Sequence, residues 1–425
     1  MLRKNILANY IGTGATVLAP ILALPWYLEL LGKEQFGLIS FIMILQSLLG
    51  LLDAGLSQIL VREIATRFDG SYKGKLSTIS LVVSFERVYW LLSICIGIIT
   101  LLLVDVIVGH WLQLDSLPII TTKTALYGAI IVFMIQFPAS IYRSTLIGIQ
   151  YQVLLNKILF FSTWFKHIGG ILVLILIPSI LSYLTWQIFS IALETLIRRY
   201  FAWKIIEKKS QKIKPSYEEI KNLWIPALGM SVSVLLGALT VQMDRIILSK
   251  MTTIEQLGYY TIAATVAIGL LQLISPLFQA ALPRAVQMKK EGELTAFNIK
   301  ILKIILIIIT FSIILFSIAS ETLLSMWIHD EEAELIVHPI LKILLIGTAL
   351  NAIYNIGYMN WLVRKRTDLI LQVNIVSLII AIVFTPIFIE WYGTIGAALS
   401  WLVINLIGFI LSLENLIRKK NENIH

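Results

Sequence analysis

The stretch KEQFGLISF at Lys33–Phe41 returns 221 residues later as IEQLGYYTI at Ile254–Ile262. Gly37 and Gly258 fall in register, and the same offset pairs Leu56 with Leu277 and Gln58 with Gln279. Each copy opens an apolar run long enough to cross a bilayer, the second such run in its half of the chain. An even number of crossings therefore separates the copies, and the repeat is parallel, related by an axis along the membrane normal.

Runs of this kind fill the rest of the sequence. They fall at 6–31, 37–61, 78–104, 124–147, 152–177, 181–206, 222–249, 257–282, 299–325, 338–362, 368–390 and 393–416. Each covers the roughly 30 Å of a bilayer core at about 1.5 Å per residue. The fold expected is an all-α polytopic membrane protein of about twelve transmembrane helices. The polar stretch EKKSQKIKPSYEEIK, residues 207–221, is the most hydrophilic break and reads as a cytoplasmic linker. It separates an N-terminal six-helix bundle, residues 1–206, from a C-terminal one, residues 222–425.

Composition agrees: 58% of residues are apolar, mean hydropathy is +0.87 and net charge is +9. Lys and Arg orient the chain, because basic loops stay cytoplasmic. With the N-terminus inside, 25 cations fall in inside segments and only Lys33, Lys123, Lys250 and Lys342 outside. Both termini are expected in the cytoplasm of a multi-pass cell-membrane (inner-membrane) protein. Anionic lipid heads suffice as partners for that charge, and no nucleic acid is needed. Cys95 lies alone in the third helix, so no intramolecular disulfide forms.

Arg87, Arg143, Lys157, Lys166 and Arg245 remain in or near the helices. A charge at mid-bilayer costs roughly 2.5 to 3.5 kcal/mol, so it faces a cavity or a partner unless it can snorkel. Arg143 and Lys157 are near enough to the cytoplasmic interface to snorkel. Arg87 and Lys166 lie about 14 and 21 Å deep, and Arg245 sits in the outer half of its helix beside Asp244. Arg87, Lys166 and Arg245 are the candidate substrate-binding cations. The helix acids Asp53, Glu86 and Asp244 are candidates for ion coupling, by H+ or Na+, or for structural pairing. Gln46, Gln136, Gln242, Gln272, Asn351, Asn355 and Asn405 could hydrogen-bond a polar cargo.

Enzyme chemistry finds no footing. GSYKGK at Gly70–Lys75 is a false phosphate loop, with Leu76 where Ser or Thr should bind magnesium. DEEAE at Asp330–Glu334, with His329 and His338 nearby, reads as a solvated outer loop rather than a metal site. No catalytic residue, cofactor or metal is expected, and direct ATP hydrolysis is not.

Taken in order, KEQFGLISF, LLDAGLSQILVREIA, YRSTLIGIQ, MDRIILSKMTTIEQLGYYTIAATV, FQAALPRAVQ and YGTIGAALSW resemble a known family along essentially the whole chain. It is the O-antigen type of polysaccharide-biosynthesis flippase, in the multidrug/oligosaccharidyl-lipid/polysaccharide (MOP) exporter superfamily. The resemblance implies two six-helix bundles around a central cavity that opens alternately to either side. It also implies a cargo of polyprenyl-pyrophosphate-linked oligosaccharide repeat units, with cationic residues for the anionic head. Within it, DRIIL marks Asp244 and Arg245 as family-like positions. A multidrug exporter or peptidoglycan-precursor flippase of the same superfamily is the nearest alternative. A membrane glycan polymerase would need a long catalytic outer loop.

Overall fold

A computed structural model describes residues 2–206, 215–328 and 330–417. Among them are thirteen α-helices: α1 (Leu2–Leu31), α2 (Lys33–Leu51), α3 (Ala54–Arg67), α4 (Tyr72–Val106), α5 (Ile119–Gly148), α6 (Gln152–Leu176), α7 (Ile180–Ile205), α8 (Tyr217–Met251), α9 (Ile254–Lys290), α10 (Leu294–Trp327), α11 (Glu331–Val363), α12 (Thr367–Tyr392) and α13 (Thr394–Ile417). Eleven of the helical stretches are long and apolar enough to cross a membrane. α8, 35 residues long, occupies the position of the expected span at 222–249. The protein is an all-α polytopic membrane protein. Residues 207–214 of the expected linker and His329 lie outside the described residues.

Helices dominate because each span must satisfy its own backbone in hydrocarbon. One expected span is divided. Residues 37–61 form α2 and α3, broken where the N–H groups of Leu52 and Asp53 turn back three residues to Leu49 and Gly50. Asp53 then stands at the start of α3 and accepts from the Ser57 hydroxyl at 2.6 Å. Past α3, the false phosphate loop is a helix cap: the Ser71 hydroxyl accepts from Gly74 N–H at 3.0 Å and starts α4. The Ser71 hydroxyl and N–H also hold the exposed Asp69 carboxyl below its ordinary pKa.

The chain divides into two compact units. The first comprises Met1–Gln242 and Thr253–Gly258. Within it α1 packs along α6, and α5 lies against α4 and α7. Its core joins Leu60 and Ile64 of α3, Phe85 and Tyr89 of α4, and Phe137 and Ile141 of α5. The repeated glycines meet in this unit. A Cβ on Gly37 would stand 2.0 Å from the Ile254 carbonyl oxygen, and one on Gly258 would stand 3.2 Å from the Gly37 Cα. Only glycine allows that approach of α2 to the start of α9.

The second unit comprises Met243–Thr252 and Tyr259–His425. Its tightest seam runs between α11 and α13. Gly347 faces Trp401, and Gly357 faces Ser412 closely enough that a Cβ would collide at 2.3 Å. Small residues that let backbones approach are what drives helix association where lipid supplies no hydrophobic contrast.

Candidate functional site

The expected acids have all found partners. Asp53 accepts from the Tyr89 hydroxyl as well as from Ser57. Glu86 accepts from the Tyr142 hydroxyl at 2.5 Å and pairs with the Arg199 Nε at 3.3 Å. Glu194, one turn before Arg198 on α7, is ion-paired to it. Asp244 is buried, accepts from the Tyr260 hydroxyl, and takes the N–H of Arg245 at 2.8 Å. In this structure Asp53, Glu86 and Asp244 thus each accept a hydrogen bond from a neighbouring side chain.

The expected cations contrast with them. Arg87, Lys166 and Arg245 form no ion pair and no side-chain hydrogen bond among the described residues. Lys166 is partly buried on α6, where Glu194 and Arg198 are its charged neighbours, and Glu194 is already committed to Arg198. The Nε of Arg245 is buried with nothing to donate to. Arg87 is exposed on α4 in line with Trp90, Leu91, Ile94 and Ile98. The structure does not assemble all three within one unit: Arg87 and Lys166 belong to the first and Arg245 to the second.

Two cations join Lys166 that sequence reading had placed elsewhere. Arg198, counted among loop residues, lies inside α7, and Arg143, expected to snorkel, acts electrostatically on Arg198. Arg143 is exposed on α5 two turns beyond Gln136, also exposed, so the two share a polar face. Arg198 is thus the hub of a charged group: it is ion-paired to Glu194 and has Lys166 and Arg143 as its cationic neighbours. The signal that could have found this group is the spacing Glu194, Arg198: an i, i+4 pair needs helix, which moves Arg198 out of the loop.

Several expected glycan contacts instead hold helices together. Asn351 donates to Asn405 at 2.6 Å, Asn355 donates to Asn351 at 2.8 Å, and Asn405 donates to the Trp401 carbonyl at 2.7 Å. Gln242 donates to Ser47 at 2.9 Å, which leaves its buried side-chain oxygen without a donor.

A long-helix chain with unpaired cations among satisfied acids can be set beside known proteins. Residues 2–289 match the family model described as polysaccharide biosynthesis protein. The chain belongs to that family. A Shigella flexneri relative, described provisionally as an O-antigen transporter, is 23% identical over 400 residues, covering 94% of this chain and 93% of its own. Among solved structures, the lipid II flippase MurJ in an inward closed conformation superposes with a TM-score of 0.73 at 14% identity. The alignment covers 98% of this chain and 87% of MurJ. The MATE transporter VcmN of Vibrio cholerae gives 0.68 at 12% identity, covering 99% of this chain and 97% of VcmN. At such identities these likenesses show the fold alone, one that this chain shares with MurJ and VcmN.

Proposed function

We propose that this polysaccharide biosynthesis protein is a flippase. It moves polyprenyl-pyrophosphate-linked oligosaccharide repeat units from the cytoplasmic to the outer leaflet by alternating access, for an O-antigen- or capsule-like surface polysaccharide. One observation carries the reading: the helix carboxylates are satisfied by phenols, hydroxyls and arginines, while Lys166 and Arg245 form no ion pair and no side-chain hydrogen bond among the described residues, Glu194 being bonded to Arg198 and Asp244 to Tyr260. Desolvated cations left this way call for an anion from outside the chain. A pyrophosphate supplies it.

Lys166, with Arg198 beside it and Arg143 beside Arg198, takes the head in the first unit, and Arg245 takes it in the second. Asp53, Glu86 and Asp244 hold neighbouring side chains, and a coupling proton or sodium would have to displace those bonds. The membrane potential supports export, since an anion leaving an inside-negative cell gains about 2.3 kcal/mol per charge per 100 mV. The relative described as an O-antigen transporter and the fold shared with a lipid II flippase both support a lipid-linked glycan cargo. A cationic drug would meet repulsion at Lys166.

Complementation of a deletion strain tests this. Lys166→Ala is expected to lower surface polysaccharide about tenfold or more, the scale of one lost charge-assisted hydrogen bond of 1.5–3 kcal/mol, at unchanged protein level. Normal polysaccharide with Lys166→Ala, Arg143→Ala and Arg198→Ala each would overturn the reading.

A further inference from the structure

The pair Glu86–Arg199 is distinct from the cations assigned to cargo but adjoins them in sequence, Arg199 following Arg198 and its bridging Tyr142 preceding Arg143. It spans α4 to α7 across α5, where Tyr142 donates to the same Glu86 oxygen that receives the Arg199 Nε. Arg199 is about half exposed, at 51% side-chain exposure, and its Nε lies 3.3 Å from the Glu86 carboxylate. Its terminal guanidinium nitrogens have no partner among the described residues.

The surroundings are those of a lipid face. On α4, Trp90, Leu91, Ile94, Ile98 and Leu102 are exposed in one stripe, and on α7 so are Phe189, Leu193, Leu196 and Tyr200. Apolar surface of that extent is stable only against hydrocarbon. Arg87 lies in the α4 stripe next to Trp90, and Tyr200 carries Lys204 over its ring at 5.4 Å. Two cations, Arg199 and Lys204, and the amphipathic ring of Tyr200 therefore stand at the C-terminal end of the α7 stripe, against one carboxylate, Glu86. Basic pockets between helices at the interface are suited to anionic lipid heads, and tryptophan and tyrosine settle at headgroup depth.

We propose that this face of the first unit is a binding site for one anionic phospholipid. Its phosphate sits on the Arg199 fork with Lys204 alongside, and its acyl chains lie along α4 and α7. Glu86 and Tyr142 act as positioning residues that aim the guanidinium outward. A phospholipid fits better than the cargo head because the phosphate position continues into stripes already facing bilayer. The proposal rests on the orientation given above only for naming the leaflet, which is the cytoplasmic one.

Native mass spectrometry of the full-length protein in detergent tests it, with phosphatidylglycerol, phosphatidylcholine and polyprenyl diphosphate as probes. The wild type is expected to retain phosphatidylglycerol over phosphatidylcholine, and Arg199→Ala to lower that retention about fivefold, the worth of one basic residue at an anionic surface. Glu86→Gln frees the guanidinium and is expected to retain phosphatidylglycerol at least as well as wild type. A merely structural ion pair would make Glu86→Gln as damaging as Arg199→Ala, which would overturn the proposal. So would equal retention of the two phospholipids, unchanged retention in Arg199→Ala, or displacement of phosphatidylglycerol by equimolar polyprenyl diphosphate. Retention is read without transport, so failure here leaves the flippase reading standing, and the converse holds too.

Discussion

Asp244 and Arg245 are neighbours with different work. The carboxylate is buried and held by Tyr260, whereas the guanidinium has a buried nitrogen and no acceptor. Removing the phenol should therefore act on stability and removing the guanidinium on transport. Tyr260→Phe is expected to cost about 1–3 kcal/mol, the penalty for a buried group left unsatisfied, seen as a lower unfolding midpoint in detergent. Arg245→Ala is expected to keep the midpoint and lower surface polysaccharide. Equal destabilisation by both would mean that Arg245 is structural. Sequence depth alone picked out Lys166 and Arg245, because a charge inside an apolar run needs a reason. It could not show that Tyr260, Tyr142 and Tyr89 serve the acids, because a tyrosine in a membrane helix has many ordinary uses and carries no spacing signal toward a carboxylate on another helix.

Among the elements, the close contact of α2 with the start of α9 sets a graded expectation. Gly37→Ala puts a Cβ 2.0 Å from a carbonyl oxygen and must move backbone, whereas the nearest atom to a Cβ on Gly258 is a Phe36 ring carbon at 3.1 Å. Gly37→Ala is accordingly expected to destabilise more than Gly258→Ala, read as detergent unfolding midpoints; the reverse order would contradict the packing. At the α11–α13 seam, Asn351→Ala is expected to cost about 0.6 kcal/mol and at most about 1.7, the measured range for polar contacts between membrane helices. It should leave cargo choice unchanged, because the amide holds Asn405. The helices themselves were legible in the runs of apolar residues, down to the short turn between α6 and α7. The break at Leu52–Asp53 was not, since it is a tightened turn from Leu49 and Gly50 inside an unbroken apolar run, held by Ser57 and Tyr89 side chains on Asp53. Arg198 and Arg199 fall inside the expected span 181–206 but count with the inside cations; what the sequence could not show is their ion pairs with Glu194 and Glu86.

For the whole molecule, the bias of Lys and Arg to one set of loops makes orientation testable. A reporter that works only in the cytoplasm is expected to function when inserted after Gly292 and to fail after Asp115, and the opposite pattern would invert the topology. The all-α polytopic fold was readable because apolar runs of bilayer length recur along the whole chain. The grouping of Arg143 with Lys166 and Arg198 was not, since it depends on how three helices pack. The central claim is that the chain carries a lipid-linked glycan outward. The most direct measurement is to deplete the protein in its native host and determine on which leaflet lipid-linked glycan collects. The account predicts complete polyprenyl-linked repeat units building up on the cytoplasmic leaflet while surface polysaccharide is lost. Normal surface polysaccharide together with new sensitivity to cationic dyes would contradict it and point to drug export.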